Sequence, residues 1–138
     1  MSEDRRPDGA TFQAVREWAL ALPGVEEGTA YGTPALRVRG RLFVRLREDG
    51  ETLVLKTDEY ERDFLLESDP AAFFVTDHYR GYPIVLVRLA AVRPERLRAL
   101  VVDSWRRHAP RRLVAQWEGS AKQEETRRTR GTNDEIRS

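Results

Sequence analysis

In one of the two basic segments of the chain, the arginines follow a strand-like spacing. Five arginines and no acidic residue lie between Pro34 and Arg47, although the net charge of the whole chain is only +1. Arginine suits phosphate because its planar guanidinium donates hydrogen bonds in a fixed fork, and an aromatic ring among such cations can stack on a base. The candidate nucleic-acid-binding residues are therefore Arg37, Arg39, Arg41, Phe43, Arg45, Arg47 and Lys56.

The alternation of apolar and other residues predicts the strands that position these side chains. Gly40 permits a tight turn after the first strand, and Asp49-Gly50 is a hairpin signal before a third strand at Leu53 and Leu55. Three consecutive strands then form an antiparallel meander with one apolar face. In this register the basic residues and Phe43 lie on the opposite face. The apolar positions of the first two strands are Leu36, Val38, Leu42, Val44 and Leu46.

The remaining segments predict an α+β fold. Its antiparallel sheet consists of the three-strand meander and two further strands, and its helices pack mainly on one sheet face, which leaves the other face open to solvent or a partner. Residues from Val25 to Thr33 are predicted to form a loop. The predicted helices follow Thr11, span Glu59–Glu67, and begin at Pro94 and Pro110, and the further strands are Phe73–Thr76 and Ile84–Leu89.

The length of 138 residues suits a single domain. We predict a flexible lead over residues 1–10, one domain over residues 11–117 and a polar, disordered tail over residues 118–138. Met1 to Ala10 lacks an apolar signal core, and no stretch approaches the roughly 20 apolar residues that span a bilayer. The expected location is the cytoplasm, with no membrane partner.

The chain offers no recognisable catalytic constellation. It has no cysteine and two histidines, His78 and His108, without a regular ligand spacing, so no metal site and no cofactor is expected. Ser104 falls on an apolar helix face, which favours burial over catalysis. The loop Asp77–Pro83 clusters acidic, basic and aromatic residues, and it is either the wall of a small-molecule pocket or a turn pinned by tyrosine hydroxyls. We expect that the protein is not an enzyme.

Several short motifs, taken in order, resemble the MmcQ/YjbR family. The similarity runs from about Phe12 to Trp117. The resemblance implies a fold with an antiparallel sheet and flanking helices, likened to secretion-chaperone and CyaY-like folds, and it implies DNA binding as the function. The motifs are Tyr31-Gly32-Thr33-Pro34-Ala35, Arg37-Val38-Arg39-Gly40-Arg41-Leu42-Phe43, Leu53-Val54-Leu55-Lys56, Phe73-Phe74-Val75-Thr76-Asp77-His78-Tyr79 and Gly81-Tyr82-Pro83.

Two functional hypotheses remain open from the sequence, beside the possibility that the basic face is only solvated. The first is a nucleic-acid-binding protein that contacts phosphates with little sequence specificity. The second is a protein-interaction or chaperone-like module without enzymatic activity, because an open sheet face also suits a protein partner. A salt-dependent affinity favours the first hypothesis, and an exposed apolar patch or a stable dimer favours the second.

Overall fold

A six-stranded antiparallel sheet forms the centre of the structure, a computed structural model that describes residues 9–120. The strand order across the sheet is β1-β2-β3-β4-β6-β5, so the first four strands form a continuous meander. The strands are β1 (Val25–Ala30), β2 (Thr33–Val38), β3 (Arg41–Leu46), β4 (Thr52–Lys56), β5 (Phe73–Phe74) and β6 (Ile84–Arg88).

Helices cover one face of this sheet. They are α1 (Phe12–Leu20), α2 (Glu59–Ser68) and α3 (Pro94–His108), and residues 111–120 are also helical. The Thr11 side chain caps α1 by accepting a hydrogen bond from the backbone amide of Ala14. The Asp58 side chain caps α2 in the same way by accepting one from the backbone amide of Glu61. All three helices join the sheet in one apolar core. Fully buried core residues include Val15, Leu36, Phe43, Leu55, Leu65, Val85, Leu97 and Trp105.

The predicted fold class is confirmed: the protein is α+β, with an antiparallel sheet and its helices on one face. The predicted loop at Val25–Thr33 is wrong for most of its length, because residues Val25–Ala30 form the edge strand β1. Glu26, Glu27 and Gly28 have low strand propensity. The strand forms because a tight turn folds it back onto β2, with Val25 opposite Val38 and Ala30 opposite Thr33.

Two-residue turns join the first three strands. Tyr31-Gly32 connects β1 to β2, and Arg39-Gly40 connects β2 to β3. All four residues have positive φ angles, 54° and 78° in the first turn and 50° and 83° in the second. Positive φ at both central positions matches the twist of a hairpin, and glycine adopts it without steric cost.

An extra residue in β3 changes the faces that the sequence pattern predicts. Ala35 pairs with Arg45 and Leu36 with Val44, but Arg37 pairs with Leu42, so Phe43 has no partner in β2. Such a bulge interrupts the alternation of side chains along one strand. Phe43 is fully buried in the core under the helices. The predicted position of Phe43 on the open basic face is therefore wrong.

The ends of the described chain bear on the predicted domain limits. Ala10, assigned to the lead, is buried, and its amide donates to the carbonyl of Leu89 over 2.8 Å. Residues 118–120, assigned to the tail, continue the last helix. The other residues of the predicted lead and tail lie outside residues 9–120. Within that range, no helix has the length and apolar character needed to cross a membrane.

Candidate functional site

A groove lies on the sheet face opposite the helices. Its volume is about 450 Å³, within the range of about 300–1,000 Å³ typical of ligand sites. Strands β3, β4 and β6 form its floor, and the 3₁₀ helix at Asp77–Tyr79 forms one wall. The residues that line it are Tyr31, Leu42, Arg45, Arg47, Glu48, Val54, Lys56, Thr76, His78, Tyr79 and Ile84.

Arg45 lies at the base of the groove and is only 6% exposed. One terminal nitrogen, Nη2, donates to the hydroxyl of Tyr79 over 2.9 Å. The other, Nη1, donates to the Thr33 hydroxyl over 3.2 Å and to Glu48 over 3.1 Å. A buried arginine is stable only when its charge and donors have such partners. Both terminal nitrogens of Arg45 therefore bind other groups of the protein.

The electrostatics of the Arg45–Glu48 pair agree with this geometry. Burial disfavours the charged form of Arg45, but its hydrogen bonds to Glu48 and Tyr79 outweigh burial and raise the pKa of its guanidinium. The same hydrogen bond to Arg45 lowers the pKa of the Glu48 carboxyl, whose side chain is otherwise largely in water. Both groups are charged at neutral pH, so they offset each other in the groove.

Arg47 and Lys56 supply the available positive charge of the groove. Both side chains are half-buried. Within residues 9–120, neither forms a salt bridge or a side-chain hydrogen bond with another residue. Arg47 lies close enough to Glu48 and Asp49 to help lower the pKa of their carboxyls. Two cations that are not hydrogen-bonded within the described part of the chain, beside one groove, favour the binding of an anion. Arg37 lies on the same sheet face, next to Glu26 of β1, and donates to the carbonyl of Thr29.

Arg39 and Arg41 do not reach the groove. Arg39 occupies the turn between β2 and β3, where its backbone has a φ of 50°. Arg41 pairs with Val38, a core residue, and therefore lies on the helix side of the sheet. Its guanidinium donates to the carbonyl of His108 at the end of α3 over 3.2 Å. The structure thus brings Arg45, Arg47 and Lys56 together and separates them from Arg39, Arg41 and Phe43.

Tyrosines take the aromatic position for which the sequence pattern suggested Phe43. Tyr31 is 83% exposed, and the Arg45 guanidinium lies 4.9 Å from the centre of its ring. Tyr79 packs edge to face against His78 with a ring separation of 4.9 Å. The Tyr31-Gly32 turn signal could have pointed to Tyr31. No local signal pairs Arg45 with Tyr79, which follows it by 34 residues.

The sequence also raises a metal site, a serine nucleophile and a pocket-lining loop. In residues 9–120, no cluster of three or more histidine, aspartate or glutamate side chains could hold a metal ion. Ser104 is fully buried on α3, where its hydroxyl donates to the carbonyl of Phe43. The loop that contains Tyr79 is pinned by a tyrosine hydroxyl, and it also lines the groove. The loop therefore combines features of the two alternatives, a turn held by a tyrosine hydroxyl and the wall of a pocket.

These features define an α+β protein whose antiparallel sheet is covered by helices on one face and carries a cationic, tyrosine-lined groove on the other. The family profile described as YjbR matches residues 20–107, which is more than half of the chain. The chain belongs to the YjbR family. The match contains β1 to β6, α2 and nearly all of α3, and so it covers every residue that lines the groove.

Two sequence relatives and one solved structure share similarity with the chain. The chain is 40% identical over 58 residues to the uncharacterized proteins Mb2600 of Mycobacterium bovis and Rv2570 of Mycobacterium tuberculosis, a stretch that is 42% of this chain and 45% of each relative. The chain thus matches less than half the length of these relatives. The crystal structure of Deinococcus radiodurans DR2400, a protein with a DUF419 domain, aligns with a TM-score of 0.62 at 23% identity, over 73% of this chain and 79% of that one.

Proposed function

We propose that the protein binds nucleic acid through the groove on the open sheet face, as a binding protein and not as an enzyme. The observation that carries this proposal is the placement of Arg47 and Lys56, which have no side-chain partner among residues 9–120, around the same groove as the exposed ring of Tyr31. Phosphate oxygens suit the cations, and a base suits the ring. Each of these contacts is independent of base identity, so little sequence specificity is expected.

Arg45 has a different role in this proposal from the one that its sequence position suggests. Its terminal nitrogens already donate to Thr33, Glu48 and Tyr79, and the residue is only 6% exposed, so the proposal assigns phosphate contact to other residues. The phosphate contacts come from Arg47, Lys56 and Arg37. Three such contacts predict a modest salt dependence, with a slope of log affinity against log salt of about −2 for a single strand.

The test is fluorescence anisotropy of labelled oligonucleotides at low and near-physiological salt. The variant Arg47→Ala/Lys56→Ala removes the two groove cations. We expect its affinity for nucleic acid to fall at least about tenfold at low salt and its salt slope to shrink by about 1.4, because two phosphate contacts are lost. Circular dichroism checks that the variant is folded.

A matched control removes two charges from the helix side of the molecule. Arg98 and Arg111 are exposed, on α3 and on the helix that follows it. The variant Arg98→Ala/Arg111→Ala has the same net charge as the groove variant, and we expect it to bind like the wild-type protein. Equal losses in the two variants would mean that only total charge matters, and no wild-type binding at low salt would refute the proposal.

A protein-interaction role is the second candidate, because α2 exposes two aromatic residues. Tyr60 is 90% exposed and Phe64 is 60% exposed, and their spacing of four residues places them on one side of the helix. Exposed aromatic rings of this kind are typical of protein interfaces. Sedimentation velocity over a range of concentrations tests self-association through this face. A dimer that Phe64→Ser abolishes would support it, and a monomer at every concentration would not.

A further inference from the structure

Tyr31 is presented to the groove in a backbone conformation that most side chains avoid. Its φ angle is 54°, in a turn position where asparagine or glycine is accommodated at lower cost. The Arg45 guanidinium lies over the ring at 4.9 Å, and the residue is 83% exposed. Arg45 therefore contacts the ring of Tyr31, and most of the residue's surface remains accessible to solvent.

Arg45 fixes this ring relative to the other wall of the groove. The central carbon of its guanidinium lies 4.9 Å from the centre of the Tyr31 ring, and its Nη2 donates to the Tyr79 hydroxyl over 2.9 Å. Because Arg45 is 6% exposed and has several protein partners, it is a positioning residue for the two tyrosines. A rigid aromatic wall lowers the entropic cost of binding a flat ligand.

We infer that the groove takes an unpaired base together with a neighbouring phosphate, so that the protein prefers single-stranded to double-stranded nucleic acid. This inference rests on the proposed function. Tyr31 stacks on the base, and Arg47 and Lys56 contact the phosphate. In a duplex the base faces are already stacked on each other, so a duplex can use only the cations, whereas an unpaired base offers its face to an aromatic side chain.

A base with its phosphate could come from a strand or from a free mononucleotide, and the charge distribution favours a strand. Arg37 lies on the same sheet face as the groove, across the strand pair from Leu42, which lines it. Arg37 therefore extends the cationic side chains beyond the groove, with Glu26 of β1 opposite it in the sheet. A strand uses this extension through its neighbouring phosphates, and a mononucleotide does not.

The experiment compares one labelled 12-nucleotide strand with its 12-base-pair duplex, at the same salt concentration, for three proteins. Tyr31→Phe keeps the ring, and Tyr31→Asn removes it while asparagine accepts the turn conformation. We expect the wild-type protein and Tyr31→Phe to bind the single strand at least about tenfold more tightly than the duplex. We expect Tyr31→Asn to lose most of this preference without a change in duplex affinity or salt slope.

The outcomes separate this inference from the proposed function. Equal affinity for strand and duplex, still dependent on Arg47 and Lys56, would overturn the inference and leave nucleic-acid binding intact. The absence of all binding would remove both. Thymidine monophosphate serves as a competitor, and we expect it to displace the strand only at much higher concentration. Displacement at a concentration equal to that of an unlabelled strand would overturn the assignment to a strand.

The positioning role of Arg45 has its own test in Tyr79→Phe, which removes only the hydroxyl that accepts from Arg45. The ring of residue 79 and every charge remain. We expect the affinity for the single strand to fall roughly two- to tenfold, the effect of one hydrogen bond, at an unchanged salt slope. An unchanged strand affinity, or a reduced salt slope, would overturn this role.

Discussion

Arg45 illustrates how burial changes the meaning of a basic residue. In the sequence it is one of five similar arginines, but in the structure it is almost fully enclosed and shares its donors among Thr33, Glu48 and Tyr79. Arg47, two residues further on, is half-buried and lines the groove. Residue type alone does not separate a structural arginine from a ligand-binding one, because the difference lies in which donors the protein already uses.

Arg45→Lys therefore tests stability more than charge. Lysine keeps the positive charge but cannot hold Tyr79 and Thr33 at once with a planar fork. We expect the free energy of unfolding to fall by about 1–3 kcal/mol, the cost of leaving buried polar groups without partners. Urea denaturation measures this change. Arg47→Lys is the control, and we expect its midpoint to match that of the wild-type protein; a shift as large as that of Arg45→Lys would contradict the assignment.

The elements show where the sequence pattern was sufficient and where it failed. Alternation in β2 places Leu36 and Val38 in the core and Arg37 on the open face, as predicted. The same rule misplaces Phe43, since a single extra residue in β3 shifts the pattern by one position. Bulges leave little trace in composition. β1 was missed for another reason: its residues favour a loop, and its pairing with β2 determines its structure.

The groove could be predicted only in part from the sequence. The local pattern gives Arg45 and Lys56 on one sheet face. It does not give the approach of Tyr79, because that contact depends on how the chain returns after β5 to form the 3₁₀ helix at Asp77–Tyr79. Contacts between residues far apart in sequence follow from the topology of the whole sheet. Local sequence patterns do not determine that topology where no turn motif fixes how two strands are connected.

The end of α3 contains a titratable group whose environment predicts pH-dependent stability. Burial lowers the pKa of His108 below its usual value of 6.5, and the nearby charges of Arg41, Lys56 and Arg107 lower it further. The hydrogen bond from its ring to the Ser104 carbonyl raises the pKa, but by less than these effects lower it. The unfolded chain then binds more protons than the folded chain. The contribution of His108 is fully present above a pH of about 6.5 and is lost as the pH falls through the lowered pKa.

The variant His108→Gln tests this linkage. Glutamine does not titrate, so we expect the stability of the variant to decline less than that of the wild-type protein between pH 7 and pH 5. Thermal unfolding at several pH values in that interval measures the difference. Parallel decline in the two proteins would show that other groups dominate, and a steeper decline in the variant would contradict the direction of the pKa change.

At the scale of the whole molecule, one core joins all the described helices to the sheet. Residues from α1, α2, α3 and the helix at 111–120 belong to the same buried cluster as the strands. A domain with a single core usually unfolds in one cooperative transition. We expect far-ultraviolet circular dichroism and tryptophan fluorescence to give coincident urea transitions. Separate midpoints would mean that the last helix unfolds independently of the sheet.

The three tryptophans of the chain determine what intrinsic fluorescence can detect. Trp18 packs against the core from α1, and the rings of Trp105 and Trp117 lie 5.3 Å apart, with the Trp105 indole donating to the Pro23 carbonyl. None of them lines the groove. Their emission therefore reports on packing of the helical side and is insensitive to a ligand on the other sheet face. An unchanged tryptophan signal during a nucleic-acid titration would carry no information about binding, and the label has to be on the ligand.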